Sequence, residues 1–143
     1  FYENILSQYN NVITVRNDTY NLLRKADAAL VTSGTATLET ALFKVPQVVC
    51  YKGNAISYQI AKRLIKVKYI SLVNLIMDTP VVKELIQNEL NIENLERELT
   101  ALLNDNAHLA QLSKDYDALR EKLTAGGSAS ANAAKIIFDF VSK

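Results

Sequence analysis

Apolar positions along this chain follow two rhythms, and the change between them falls near residue 90. In the first part, short apolar runs alternate with segments spaced by three and four. Residues 12–15 read as a short strand, edged by Asn10-Asn11 and by Asn17-Asp18. Residues 19–25 read as a short helix with Leu22 and Leu23 inward, and Asp18 is placed to cap it. Residues 27–32 read as the next strand. Its run Ala28-Ala29-Leu30-Val31 does not alternate, which predicts burial on both faces. Ser33 or Thr35 then caps a helix reaching to about Lys44, with Leu38, Ala41 and Leu42 sharing its apolar face. Pro46 opens a strand over residues 47–51, at a position that needs no ladder donor. Residues 57–65 predict a helix with Tyr58, Ala61, Leu64 and Ile65 inward. Residues 69–72 predict a further strand. Residues 79–88 predict a helix with Pro80 in its first turn and Val82, Leu85 and Ile86 inward.

Past residue 90 the pattern is helical throughout. Residues 91–103 carry a stripe of Leu95, Leu99, Leu102 and Leu103, and residues 107–123 a stripe of Leu109, Leu112, Tyr116, Leu119 and Leu123. Asn94 and Asn106 stand as turn or cap residues. Ala125-Gly-Gly-Ser128 is a break, and residues 130–141 form a last helix with Ala133, Ala134, Ile137, Phe140 and Val141 inward. The repeated strand–helix order predicts an α/β fold: a Rossmann-like parallel sheet with helices on both faces, followed by carboxyl-terminal helices. Residues 1–90 read as a partial sheet domain and residues 91–143 as a helical extension that packs on that domain or on a partner. The two leucine stripes suit covering a missing domain or a second copy of the chain. The opening residues 1–9 read as the tail of a helix, so the expectation is a fragment.

Composition narrows the function. With 143 residues, 49% hydrophobic and 22% charged, the chain fits one globular domain, and a net charge of +1 gives no strong field for nucleic acid. Cys50 is the single cysteine and reads as a small core residue, which excludes a disulfide scaffold and a cysteine-rich zinc site within one chain. His108 is the single histidine and sits on a polar helix, so a solvated or rim position is the reading. There is no signal-peptide pattern and no apolar run near the ~20 residues of a membrane span.

Chemistry concentrates at Ser33-Gly34-Thr35. Gly34 lets the backbone turn sharply and come close to a ligand, and the amides of Thr35, Ala36 and Thr37 can face a phosphate, with the hydroxyls adding donors. The triplet reads equally as an ordinary helix cap beside a tight turn, and it lacks both the P-loop lysine and the three glycines of a dinucleotide fingerprint. Glu39 lies four residues after Thr35 and can share its helix face. A carboxylate there can accept from two vicinal ribose hydroxyls, or it is a solvated helix glutamate. Tyr51 and Lys52 end a strand at the carboxyl edge, where open α/β sheets bind ligands, and Asn74 falls in the same zone. Each also reads as rim or turn structure. Lys62, Arg63, Lys66 and Lys68 surround Ile60, Leu64, Ile65 and Tyr69, which fits either an anionic lipid surface or a normal charged helix face.

Read together, Thr32-Ser-Gly-Thr-Ala-Thr-Leu-Glu39, Pro46-Gln-Val-Val-Cys-Tyr-Lys52, Ala61-Lys-Arg-Leu64, Tyr69-Ile-Ser-Leu-Val-Asn-Leu-Ile76 and Val82-Lys-Glu-Leu-Ile-Gln87 resemble the carboxyl-terminal half of the lipid-A-disaccharide synthases. The resemblance runs from about Val12 to the end. It implies a truncated half of a GT-B glycosyltransferase, an enzyme of two Rossmann-like halves facing across a cleft. It also implies joining of UDP-2,3-diacylglucosamine to 2,3-diacylglucosamine 1-phosphate, with release of UDP. No cofactor or metal is implied. Ser33, Gly34, Thr35 and Thr37 would lie near the diphosphate, Glu39 would hold the ribose and Asn74 would stand near the donor; from their place at the carboxyl edge alone, the backbone at Tyr51 and Lys52 can meet the base and Lys52 can reach a phosphate of the UDP-sugar. The implied setting is cytoplasmic with peripheral contact to the inner membrane, and the implied partners are the missing amino-terminal domain and a second copy exchanging carboxyl-terminal segments.

Two departures stand out: Val73 where the family usually has proline, and Met77-Asp78 where a small Ala-Gly pair is common. The amino-terminal half, with the acceptor site and general base, is expected to be missing, as are the first strand of this half and its glycine-arginine loop. No residue here is assigned as catalytic. Two other readings fit the Ser33-to-Glu39 segment: another UDP-sugar transferase or epimerase, and a non-catalytic nucleotide-binding fragment.

Overall fold

A computed structural model describes residues 2–54 and 68–142. Its centre is a three-stranded parallel sheet in the order β1-β2-β3. The strands are β1 (Ala29–Thr32), β2 (Gln47–Tyr51) and β3 (Lys83–Ile86). Among the described residues the helices are α1 (Tyr2–Leu6), α2 (Thr19–Leu23), α3 (Ala36–Leu42), α4 (Leu72–Met77), α5 (Ile92–Asn104), α6 (Asn106–Thr124) and α7 (Ala129–Val141). A 3-10 turn over Gln87–Glu89 follows β3. Thr32 pairs with Cys50, and Tyr51 with Ile86, so the carboxyl ends of all the strands meet at one rim.

Burial follows position in the sheet. In β2, Gln47, Val48 and Val49 are all buried, as a strand with neighbours on both sides requires. The core joins Val48, Val49 and Leu85 of the sheet to Ala41, Val73 and Val82, and to Leu102, Leu112, Tyr116 and Leu119 of α5 and α6. Part of each leucine stripe, Leu102 in α5 and Leu112, Tyr116 and Leu119 in α6, is therefore buried against this sheet. Leu103 and Leu123 fall outside that part, at 51% and 40% exposure.

Several elements depart from the sequence expectation. β1 alternates between half-buried and exposed positions instead of being covered on both faces, because β2 is its only described neighbour. Residues 12–15 form no strand: their β-branched apolar run suits one, but no described strand offers them a ladder, and Ile13 stays 89% exposed. The third strand is not at 69–72, where a turn leads into α4, but at 83–86, inside the segment expected to be helical. Spacing alone could not separate the two, since Val82 and Leu85 are buried in either arrangement. Leu22 faces solvent while Leu23 is buried. Asp18 precedes α2 but does not cap it with its side chain; it accepts from Asn21 Nδ2 instead. The caps of the late helices are Asn91, which accepts from the Asn94 amide, and Asp105, which accepts from the amides of Ala107 and His108, rather than Asn94 and Asn106. In α7 the expected inward residues Ile137, Phe140 and Val141 are exposed, because no described element packs on that helix closely enough to bury them. The helix expected over 57–65 and most of the basic cluster lie outside the described residues. Lys68 is described, and pairs with Asp78 at 3.0 Å on the surface.

Helix α6 ties the layers together by supplying donors to carbonyls at helix ends, which have no partner within their own helix. Arg120 donates to the Leu42 carbonyl at the end of α3, and Lys122 to the Ile76 carbonyl near the end of α4, both at 2.6 Å. Tyr116 donates to the Val45 carbonyl at 3.3 Å and receives Gln47 Nε2 at 3.4 Å. Burial pushes the Tyr116 phenol up to about 12, although the Gln47 contact works the other way. A raised phenol favours the folded state below its unfolded value of about 10, and that stability disappears as pH rises toward 12. The loss is on the order of 2–3 kcal/mol. Urea unfolding between pH 9 and pH 12 should show this fall, and Tyr116→Phe should flatten it.

Candidate active site

The parallel register brings two loops to the carboxyl rim. Ser33, Gly34 and Thr35 leave β1, and Lys52 and Gly53 leave β2 beside them. Gly34 has φ +139, a backbone setting that side chains rarely adopt, and nothing within 4 Å would meet a Cβ there. Glycine is therefore needed for the turn and not for space. Gly53 is the opposite case: a Cβ there would stand 3.0 Å from the Tyr51 hydroxyl, so the absent side chain leaves room for that ring.

The hydroxyls of this segment mostly face inward. Ser33 Oγ donates to the Ile70 carbonyl at 2.8 Å. Thr37 is fully buried; its hydroxyl and its amide both donate to the Gly34 carbonyl, at 2.8 and 3.2 Å. Thr35 occupies the cap position of α3 without a side-chain cap bond. Neither Ser33 nor Thr35 therefore caps the helix through its side chain. The amides of Thr35 and Ala36 have no hydrogen bond among the described residues and are the ones left for a ligand.

Glu39 is half-buried and makes no side-chain hydrogen bond among the described residues. It borders an open cavity of about 410 Å³ with Asn17, Asp18, Thr19 and Tyr20. Tyr20 is held there by stacking on Phe43, with ring centroids 5.4 Å apart. The lining of this cavity does not include Ser33 to Thr35, so the turn and the carboxylate are neighbours along α3 rather than walls of one pocket. Tyr51 and Lys52 are exposed at the end of β2.

Asn74 is placed differently. It lies inside α4, almost fully buried, and its polar atoms are all engaged: Nδ2 donates to the Val82 carbonyl and to Glu84 Oε1, and Oδ1 accepts from the Val82 amide. Thr37 thus sits beneath the rim, Asn74 sits against Val82 and Glu84 at the start of β3 and borders a cavity there, Ser33, Gly34, Thr35, Tyr51 and Lys52 form the rim, and Glu39 stands at its own opening. Cys50 is half-buried against the core, and burial pushes its thiol up, away from the reactive thiolate.

Sequence reasoning missed Gln87. It follows β3 at the same rim, with φ +53, and its Nε2 is buried without a hydrogen-bond partner. Its helical assignment hid it, and no spacing signal marks it. A second cavity, of about 380 Å³, runs along the outer edge of β3 and is bordered by Gln47, Pro80, Lys83, Glu98, Leu102 and His108. His108 is exposed at its margin. Among the described residues no cluster of His, Cys, Asp and Glu could hold a metal, and no helix is long and apolar enough to cross a membrane.

Residues 2–138 match the family model described as Lipid-A-disaccharide synthetase. A lipid-A-disaccharide synthase of Syntrophus aciditrophicus is 43% identical over 115 residues, covering 80% of this chain and 30% of the relative. One of Geobacter metallireducens is 36% identical over 132 residues, covering 92% of this chain and 34% of the relative. One of Psychromonas ingrahamii reaches 53% over 87 residues. The chain spans about a third of the length of the first two relatives.

Proposed function

This chain belongs to the lipid-A-disaccharide synthetase family, and from that premise we propose that it holds the nucleotide end of UDP-2,3-diacylglucosamine in a hexosyltransferase. The reaction joins that donor to 2,3-diacylglucosamine 1-phosphate and gives a lipid A disaccharide and UDP. Glu39 accepts from the ribose hydroxyls. The Thr35 and Ala36 amides, with Lys52, face the diphosphate, and Tyr51 borders the nucleotide. Thr37 and Asn74 act indirectly, by fixing Gly34 and the loop before α4. The observation that carries the reading is Glu39, a half-buried carboxylate with no described hydrogen-bond partner, bordering an open cavity.

The chemistry assigned to this chain is handling of the leaving group. As the acceptor hydroxyl attacks the anomeric carbon, negative charge grows on the UDP phosphate, and preorganised N–H donors and a cation stabilise it more than they stabilise the ground state. Proton removal from the acceptor is assigned to a part of the relatives' length that this chain does not span.

The test is an assay of the complete polypeptide carrying these residues, supplied with the UDP-diacylglucosamine and its monosaccharide acceptor. UDP release that depends on both sugars is the expected result. A folded polypeptide that releases none overturns the assigned reaction.

A further inference from the structure

We propose that Glu84 is a positioning residue for the Ser33-Gly34-Thr35 turn, a role that rests on the nucleotide-binding reading above. Glu84 lies on β3, two strands away from β1. Its half-buried carboxylate is met by donors from one loop and the helix that follows it: Oε2 accepts from the Ile70 amide at 3.0 Å, and Oε1 accepts from the Ser71 amide and from Asn74 Nδ2 of α4, each at 2.9 Å. Asn74 is itself clamped to both backbone groups of Val82, so its donor cannot turn away from Glu84. The peptide held in this way is the one that Ser33 uses, because the Ile70 carbonyl receives the Ser33 hydroxyl at 2.8 Å.

A continuous set of hydrogen bonds therefore runs from a carboxylate on β3, through Ile70, to the first residue of the turn after β1. Gly34 has no side chain to hold its unusual backbone setting. The turn is gripped on one side by Ser33 and on the other by the Thr37 hydroxyl on the Gly34 carbonyl. Removing the carboxylate frees the Ile70 peptide, and with it the first grip. The site demands an acceptor-only group, because every described contact to it is an N–H. Glutamine has nearly the same shape but sets its own NH₂ against those donors.

Calorimetric titration of the complete polypeptide with UDP and with uridine tests this. Glu84→Gln is expected to weaken UDP binding about tenfold, while uridine, held through its ribose, changes by less than about twofold. Adding Glu84→Gln to Ser33→Ala should weaken UDP by no more than about twofold beyond Ser33→Ala alone, since both act through one link. Equal loss for UDP and uridine, full additivity with Ser33→Ala, or unchanged UDP binding overturns the proposal. Wild-type protein that binds neither ligand removes the nucleotide reading and this role together. Binding by the wild type with no effect of Glu84→Gln removes this role alone. If Glu84→Gln does not fold, hydrogen exchange on the wild type decides. Coupling is reciprocal, so saturating UDP should slow exchange at the Ile70 and Ser71 amides about fivefold. Unchanged exchange there, with UDP bound, contradicts the role.

Discussion

Replacing Glu39 by alanine is expected, on the proposed ribose role, to weaken UDP binding about 10- to 100-fold and to leave the fold intact. Hydrogen bonds to a charged acceptor are worth about 1.5–3 kcal/mol, and a vicinal diol offers two of them to one carboxylate. The structure gives Glu39 no described side-chain partner, so no internal bond is lost. Alanine is the better helix former, but Glu39 stands in the first turn of α3, where a carboxylate favours the helix dipole, so the two small effects offset and stability should change by less than about 1 kcal/mol. The ribose role has its own control: wild type should bind 2′-deoxy-UDP more weakly than UDP, and Glu39→Ala should no longer distinguish them. Equal loss of both nucleotides on a destabilised protein would instead mark Glu39 as structural.

Leu119→Ala should cost about 2–5 kcal/mol, a large share of the roughly 5–15 kcal/mol that holds a typical domain together. Leu119 is fully buried on α6, within the cluster formed by Val48, Val49, Leu85 and Tyr116. Truncation removes apolar contacts and leaves a cavity that a packed sheet and helix cannot close. Leu103→Ala is the comparison. It belongs to the neighbouring leucine stripe in sequence but is 51% exposed, so its effect should stay within about 0.5 kcal/mol. Urea denaturation of the two variants separates them, and similar losses would contradict the packing of α5 and α6 described above.

What could be read from the chain alone was whatever local chemistry decides. The β1–turn–α3–β2 unit was legible because a non-alternating apolar run, a small-residue turn and an amphipathic stretch follow one another within residues 27–51. The strand Lys83–Ile86 was not. Val82 and Leu85 suit a helix face, and what makes the segment a strand is Val49 pairing with Glu84, a contact no local pattern encodes. Residues 12–15 show the converse, a strand pattern without a described ladder. Leu103 and Phe140 carried helical spacing but stand exposed, since periodicity names a face and not what covers it.

The site divides in the same way. Gly34 and Glu39 could be singled out because turn chemistry and helical spacing are local. The inward commitment of Thr37 and Asn74 could not, because it depends on carbonyls and carboxylates brought in by folding. Glu84 carries no local signal of its own. A glutamate in a short mixed segment reads as solvated until the Ile70 and Ser71 amides are seen to converge on it.

We propose, above all, that a uridine nucleotide docks at the carboxyl rim of this sheet with its ribose on Glu39. Amide chemical-shift mapping of the isotope-labelled polypeptide during UDP titration tests it most directly. Docking there should give saturable shifts at Gly34, Thr35, Ala36 and Glu39 and in the Asn17-to-Tyr20 wall, with the amides along the outer edge of β3 unmoved. Shifts confined to the cavity beside Lys83 and His108, or no saturable shifts, would contradict it.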